Sequence, residues 1–286
     1  MSVSCVFAGA RCRGARLLAI GLTALVLAPA PARADPWIPA AGTGVTKPMI
    51  RRFTGNRAFP AGGFTTNTRP SSTDTQTQIR VTGVHGLGDG FSLEYDFRAG
   101  FLRKSARKRK REIVSGSAGL EDQEIGLNYG LRQTKAFADS VTLNVVAPAG
   151  SASSTPHLGT GRWAIEPDYQ VGFSRNGGRV FSTLEVGPRI FLDGAATQLR
   201  AALEVGVVPV RQLTLSGSVF YVRTIVQRSR LAVSDRGELY NLLRLGVRAE
   251  YRLTKALRPY VGYDVAVAGK GIHAGQRFVL GVAIHY

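Results

Sequence analysis

Apolar side chains return at every second position along most of this chain, and that period limits what its segments can become. Between 91 and 101, Phe91, Leu93, Tyr95, Phe97, Ala99 and Phe101 alternate with Ser92, Glu94, Asp96, Arg98 and Gly100. Period two puts the two sets on opposite faces of a strand, whereas a helix would scatter both around its axis. The pattern recurs at 45–52 (weakly), 78–84, 124–131, 141–146, 163–173, 181–191, 199–207, 213–222, 243–253, 260–267 and 277–286, which makes about twelve strands. Long helices are further disfavoured by 34 glycines in 286 residues, because glycine costs backbone entropy in a helix interior.

The N-terminus decides the compartment. Arg11, Arg13 and Arg16 precede an apolar run at 17–27, and small residues and proline follow up to Ala32-Arg33-Ala34. A basic stretch, a short apolar stretch and an A-x-A site make a secretory signal peptide over 1–34. The eleven-residue run would reach only about 16 Å as a helix, against roughly 30 Å of hydrocarbon, which argues against an anchor. Both cysteines, Cys5 and Cys12, lie ahead of that run. The exported chain therefore has no disulfide, thiolate metal site, cysteine nucleophile or lipid-anchor cysteine. Losing residues 1–34, with four arginines and no acid, takes the formal charge from +18 to +14. So basic a chain attracts polyanions, but export removes nucleic acid as a partner. No later stretch approaches the roughly 18 uninterrupted apolar residues of a transmembrane helix. An exported chain of this kind crosses a membrane only as a closed barrel.

The connections agree with that. Residues 35–44 read as an irregular N-terminal segment and 45–286 as the barrel. Long connections at 54–73, 104–118, 150–160, 227–238 and 269–275 alternate with short ones at 86–90, 132–138, 175–178, 209–212 and 254–257. An even strand number, short periplasmic turns and longer external loops mark outer-membrane barrels. The expected fold is all-β, an antiparallel up-and-down transmembrane β-barrel of about twelve strands in the bacterial outer membrane. At the end of the chain, Phe278, Leu280, Val282, Ile284 and Tyr286 alternate with Arg277, Val279, Gly281, Ala283 and His285. This resembles the terminal strand of such barrels, which finish on an aromatic residue. The resemblance implies an assembly signal available to the barrel-assembly machinery. Its apolar residues would face lipid, and Arg277 and His285 the lumen.

Three short motifs carry a second resemblance: Gly119-Leu120-Glu121-Asp122, Pro148-Ala149-Gly150 and Leu158-Gly159-Thr160-Gly161. Their order and spacing are similar to the family named for the putative MetA pathway of phenol degradation. That family typically has Gly-Asp opening one strand, Pro-Thr-Gly closing the next and Leu-Gly-Thr-Gly after a gap. Here Ala149 stands for the threonine and Glu121 for a usual glycine. The resemblance spans about 42–286 and implies an outer-membrane transporter of aromatic or hydrophobic compounds.

The face opposite the apolar one should line the lumen. It carries Arg80, Glu94, Asp96, Arg98, Glu166, Asp168, Arg189, Arg200, Glu204, Arg244, Arg248, Glu250 and Arg252, with Glu124, Glu185, Asp264 and Arg277 beside them. The two signs nearly cancel, so the overall charge does not predict an anion-selective pore. These side chains either form interior ion pairs that fill the barrel, or leave Arg244, Arg248 and Arg252 as a basic ladder along a solute path. Pro167 cannot donate to a ladder and marks a bulge or kink. Arg103, Lys104, Arg107, Lys108, Arg109, Lys110 and Arg111 fall in an expected external loop. They could hold lipopolysaccharide phosphates, by charge screened within about 8 Å, or simply be solvated. His85, His157, His273 and His285 have no companion serine pattern, and no metal spacing or cofactor fingerprint occurs. The expected function is a passive outer-membrane channel for small, hydrophobic or aromatic solutes. The alternative is a non-conducting structural or lipopolysaccharide-binding barrel.

Overall fold

The computed structural model describes residues 36–57, 59, 72–108, 111–151, 153–154, 156–194, 196–227, 240–270 and 272–286. The segment 1–34 read as a signal peptide lies outside them, as do most of the connections at 58–71 and 228–239. Among the described residues there is no α-helix. Thirteen strands form one antiparallel sheet: β1 (Gly44–Arg57), β2 (Ser72–Gly88), β3 (Phe91–Lys108), β4 (Arg111–Leu120), β5 (Gln123–Gln133), β6 (Phe137–Ala147), β7 (Ala164–Arg175), β8 (Val180–Phe191), β9 (Ala196–Val210), β10 (Leu213–Gln227), β11 (Asn241–Tyr251), β12 (Leu257–Lys270) and β13 (Ala274–His285).

The sheet closes on itself where β1 pairs with β13, from Val45↔His285 to Arg57↔Ala274. Closure pairs every strand but β4 on both sides, and β4 pairs with β3 alone; within the ring the strands have no free edge. β4 pairs with the outer half of β3 and β5 with its inner half. These two strands are one stave broken at Glu121 and Asp122, so thirteen strands make a twelve-stave barrel. Gly44 and Tyr286 exchange both backbone hydrogen bonds at 3.0 and 3.1 Å, and the Tyr286 ring stacks on His85 at 5.9 Å. The final aromatic thus pins the seam.

Short turns and the closing seam share one end of the barrel, here called the turn end. Asp89 and Gly90, both at positive φ (50° and 79°), link β2 to β3 in two residues. That matches the primed turns whose twist suits a hairpin. The other end differs from expectation. The segment 104–118 is no loop, because β3 and β4 run on as a paired hairpin as far as Lys108↔Arg111. Dense charge hid a strand there; pairing satisfies the backbone whatever the side chains are. Arg103, Lys104, Arg107 and Lys108 therefore ride on β3 and Arg111 on β4, while Arg109 and Lys110 lie outside the described residues.

The outer face is an apolar belt that includes Ile50, Phe97, Leu127, Leu143, Val247 and Leu280, all strongly exposed. Water would not tolerate so continuous an apolar surface, and lipid would. On β13, Phe278, Leu280 and Ile284 are exposed, as is Tyr286 just beyond it; Val282 and Arg277 are half-buried, and Gly281 and Ala283 are buried. Leu280, 62% exposed halfway along its strand, gives a direct check. Leu280→Arg should cost about 2–4 kcal/mol if it meets the bilayer midplane, read from unfolding midpoints in lipid vesicles. An unchanged midpoint would mean that this face does not meet hydrocarbon.

The segment 36–43 is irregular but not loose, and Gly44, expected at its end, already belongs to β1. It crosses the turn-end mouth from β2 towards β7. Gly42 N–H donates to Gly86 O (3.0 Å), Trp37 Nε1 to Thr134 O (2.6 Å), and Gln133 Nε2 to Pro36 O (2.7 Å). Three inward glycines make room for it. A Cβ at Gly86 would stand 2.3 Å from Ala40 O, one at Gly130 2.8 Å from Ile38 Cγ1, and one at Gly172 2.4 Å from the Trp37 ring.

Candidate functional site

The pleat carries the polar set of every strand inward, around a cavity of about 640 Å³. Arg80, Glu94, Asp96, Arg98, Arg200, Glu204, Arg244, Arg248 and Glu250 line it. Glu166, Asp168 and Arg189 also point inward but are buried in the side-chain layer of the wall. Arg252 does not join them. β11 ends at Tyr251, and Arg252 stands exposed in the turn that follows, its N–H bound to Gln212 O (2.6 Å).

One side of the lumen is a continuous ion-pair network. Arg80 on β2 and Arg98 on β3 both grip Asp96, and Arg98 reaches Glu124 on β5 at 2.9 Å. Arg189 on β8 joins Glu124 to Glu166, its Nε donating to Glu166 Oε2 at 2.5 Å. Arg200 on β9 completes the run, with Nη1 donating to Glu166 at 2.6 Å. Arg98 links neighbouring staves, whereas Arg189 and Arg200 reach past the adjacent stave to Glu124 and Glu166, so the network ties strands together as well as filling space. Buried charges of this kind are held only because each finds partners.

The expected basic ladder is not free-standing. Arg244 Nε lies 3.1 Å from Asp264, and Arg277 Nε donates to the same carboxylate at 2.8 Å. Arg248 pairs with Glu250 and stacks 4.1 Å above the Tyr260 ring. Arg51 donates to the Gln78 amide oxygen at 3.0 Å.

Among the described residues, the inward acids Asp168, Glu185, Glu204 and Glu121 show no basic side chain within ion-pair distance. Asp168 accepts from Asn144 Nδ2 (2.9 Å), Glu204 accepts from Ser216 Oγ (2.6 Å), and Glu185 faces the cavity. The carboxylates of Glu166, Asp168 and Glu185 come within 4.8 Å of one another. They are the described groups placed to share a cation, although Arg189 and Arg200 already claim Glu166.

The charges around the cavity are sorted by stave. On β11, β12, β13, β1 and β2 the lining has seven basic and two acidic side chains. From β3 to β9 it has six acidic and two basic. The near-cancellation legible in the sequence is thus the sum of a basic wall and an acidic wall. Towards the loop end the wall turns apolar, where Val222, Leu242 and Ala266 pack with Phe59, Phe220 and Tyr240.

The three family-like motifs meet at the loop end. Asp122 Oδ2 accepts from both the N–H and the hydroxyl of Thr160 at 2.7 Å. Leu158 N–H donates to Ser151 O (3.1 Å), and a Cβ at Gly119 or Gly150 would touch Leu158. Glu121 accepts from Gln76 Nε2 (2.7 Å) and Gln78 Nε2 (2.5 Å). These contacts fasten the β6–β7 connection to the break between β4 and β5, an architectural task.

Pro167 falls directly across from Pro188 in the β7–β8 register. The pairing lapses between Ile165↔Ile190 and Tyr169↔Val186 and resumes without a shift. Two facing prolines remove both ladder donors, which interrupts the seam without a bulge. Of the histidines, His85 lies under Tyr286, His157 in the β6–β7 connection, His273 beside Asp74 (2.5 Å), and His285 on the cavity wall.

No family model matches this chain, and no curated protein does. Among solved structures it is similar to an outer-membrane channel from Pseudomonas putida F1, with a TM-score of 0.66 and 17% identity, covering 90% of this chain and 100% of that one. It is also similar to the translocator domain of the autotransporter NalP from Neisseria meningitidis, with a TM-score of 0.50 and 10% identity, covering 96% of each. At these identities the likeness is one of fold. Closed staves, apolar belt and polar interior together define the class, an outer-membrane β-barrel.

Proposed function

We propose that this chain is an outer-membrane channel through which small solutes diffuse passively. The observation that carries the reading is the cavity of about 640 Å³, walled by charged groups inside an apolar exterior. A barrel of twelve staves stands between small, side-chain-filled barrels and open porins. Its interior is wide enough for a solute and narrow enough to discriminate. The aromatic cluster of Phe59, Phe220 and Tyr240 and the family resemblance support solutes with an apolar or aromatic portion. By the usual polarity of such barrels the turn end faces the periplasm, which puts the segment 36–43, a strap across that mouth, on that side and the β3–β4 hairpin outside. There its basic residues would meet lipopolysaccharide phosphates, and 278–286 would serve the assembly machinery from within.

Purified protein in planar bilayers should show discrete conductance steps, and vesicles containing it should take up a small aromatic solute. Silence in both, from protein whose heat-dependent gel shift shows a folded barrel, would sink the channel reading. The alternative, a non-conducting structural barrel, draws on the ion-pair network that fills the β2–β9 side and on the strap across the turn-end mouth.

A further inference from the structure

The separation of charge across the lumen has a chemical consequence that net charge conceals. β8 lies six staves from β1 around the twelve-stave ring, and β9 lies six from β2. Glu185 on β8 therefore looks across the cavity at the wall that carries Arg51 on β1, and both line the same space. Among the described residues, neither side chain has an opposite charge within ion-pair distance. Arg51 is bound to the neutral amide of Gln78. Glu185 lies among carboxylates, with Glu166 and Asp168 inside 4.8 Å, and Glu204 on the next stave has only the Ser216 hydroxyl.

A small ion of either sign that fills this space touches one favourable wall and one wall of its own sign. Like charges brought together in a confined, weakly solvated space repel, whereas complementary ones orient and attract. A solute with an oxyanion at one end and an ammonium at the other satisfies both walls at once.

We propose that the lumen is a selectivity site for zwitterions: the oxyanion lies towards Arg51, and the ammonium towards Glu185 and its acidic neighbours. This rests on the channel reading and names the solute class for it. The side chains that settle it come from strands far apart in sequence, and nothing local in either strand announces the pairing.

Three impermeant probes of similar size test it: 2-aminoethanesulfonate (zwitterion), 2-hydroxyethanesulfonate (anion) and choline (cation). Tracer influx into vesicles containing the full protein should favour the zwitterion over each ion by about fivefold, the scale of one exposed charge pair. Glu185→Gln should raise the anion relative to the zwitterion, and Arg51→Gln should raise the cation, each with the gel shift of a folded barrel. Equal influx of the three probes, or ratios unmoved in both variants, would overturn the proposal. If the wild type admits none of them, bilayer conductance and aromatic-solute uptake still decide the channel reading, and equilibrium binding to protein in detergent decides the site. Zwitterion binding that is lost in Glu185→Gln supports it; no binding overturns it.

Discussion

Arg189→Met is expected to lower the stability of the folded barrel by about 3–5 kcal/mol, the range for removing one partner of a buried ion pair. Arg189 is 8% exposed, and its guanidinium is the link between Glu124 on β5 and Glu166 on β7. Without it, among the described residues, Glu124 keeps Arg98 as its one ion-pair partner, and Glu166 keeps Arg200. Both carboxylates then stay in the side-chain layer with less compensation than their desolvation demands. Methionine matches the apolar stem, so the loss reports charge more than volume. Urea unfolding in micelles, followed by tryptophan fluorescence, measures it. Adding Glu166→Gln should recover part of the loss by removing one uncompensated charge. A drop below about 1 kcal/mol, the value of a solvent-screened pair, would mean that water reaches the network and that this side of the lumen is open.

The second large effect concerns flow. Gly172→Val should raise single-channel conductance several-fold. A Cβ there would stand 2.4 Å from the Trp37 ring and 2.6 Å from Pro36 Cγ, so the strap cannot keep its seat against β7. What then holds it near that stave includes three hydrogen bonds, one from Trp37 to Thr134 and two between Gln133 and residues 36 and 38, too few to keep it across the mouth against the new side chain. Freed there, the strap no longer spans the turn-end mouth. The outward neighbour of Gly172 is the exposed Phe173, and the strand pairing is untouched by a β-branched residue, so the barrel should fold. Conductance equal to wild type would show that ions pass beside the seated strap, and the strap would then be only a brace.

Much of this architecture is legible in the chain. Alternation separates faces because successive side chains on a strand must point opposite ways, and 91–101 or 277–286 can be sorted without coordinates. Asp89-Gly90 reads as a turn because both positions tolerate positive φ. The misreadings have physical reasons. Residues 103–111 are so charged that polarity looks like loop, yet β3 and β4 pair through their backbones there. Arg252 continues the spacing of Arg244 and Arg248, but the strand stops first. Pro167 is visible as a breaker, whereas Pro188 matters only because register sets it opposite. The strap has a faint signal in the inward glycines Gly86, Gly130 and Gly172, each at a position where a polar side chain would otherwise fill the lumen.

By itself, then, the sequence determines which side chains meet lipid and which meet the interior, because the two-residue pleat is a local property. It also determines that the interior charges nearly cancel, because that is a count. Only ring closure decides that Arg51 and Glu185 share a cavity from opposite walls, that Arg189 bridges Glu124 to Glu166, and that the segment 36–43 returns across the mouth. Those relations depend on how many staves close the ring and on the register of each pair. Both are set by the whole sheet at once, and no stretch of alternating residues encodes either.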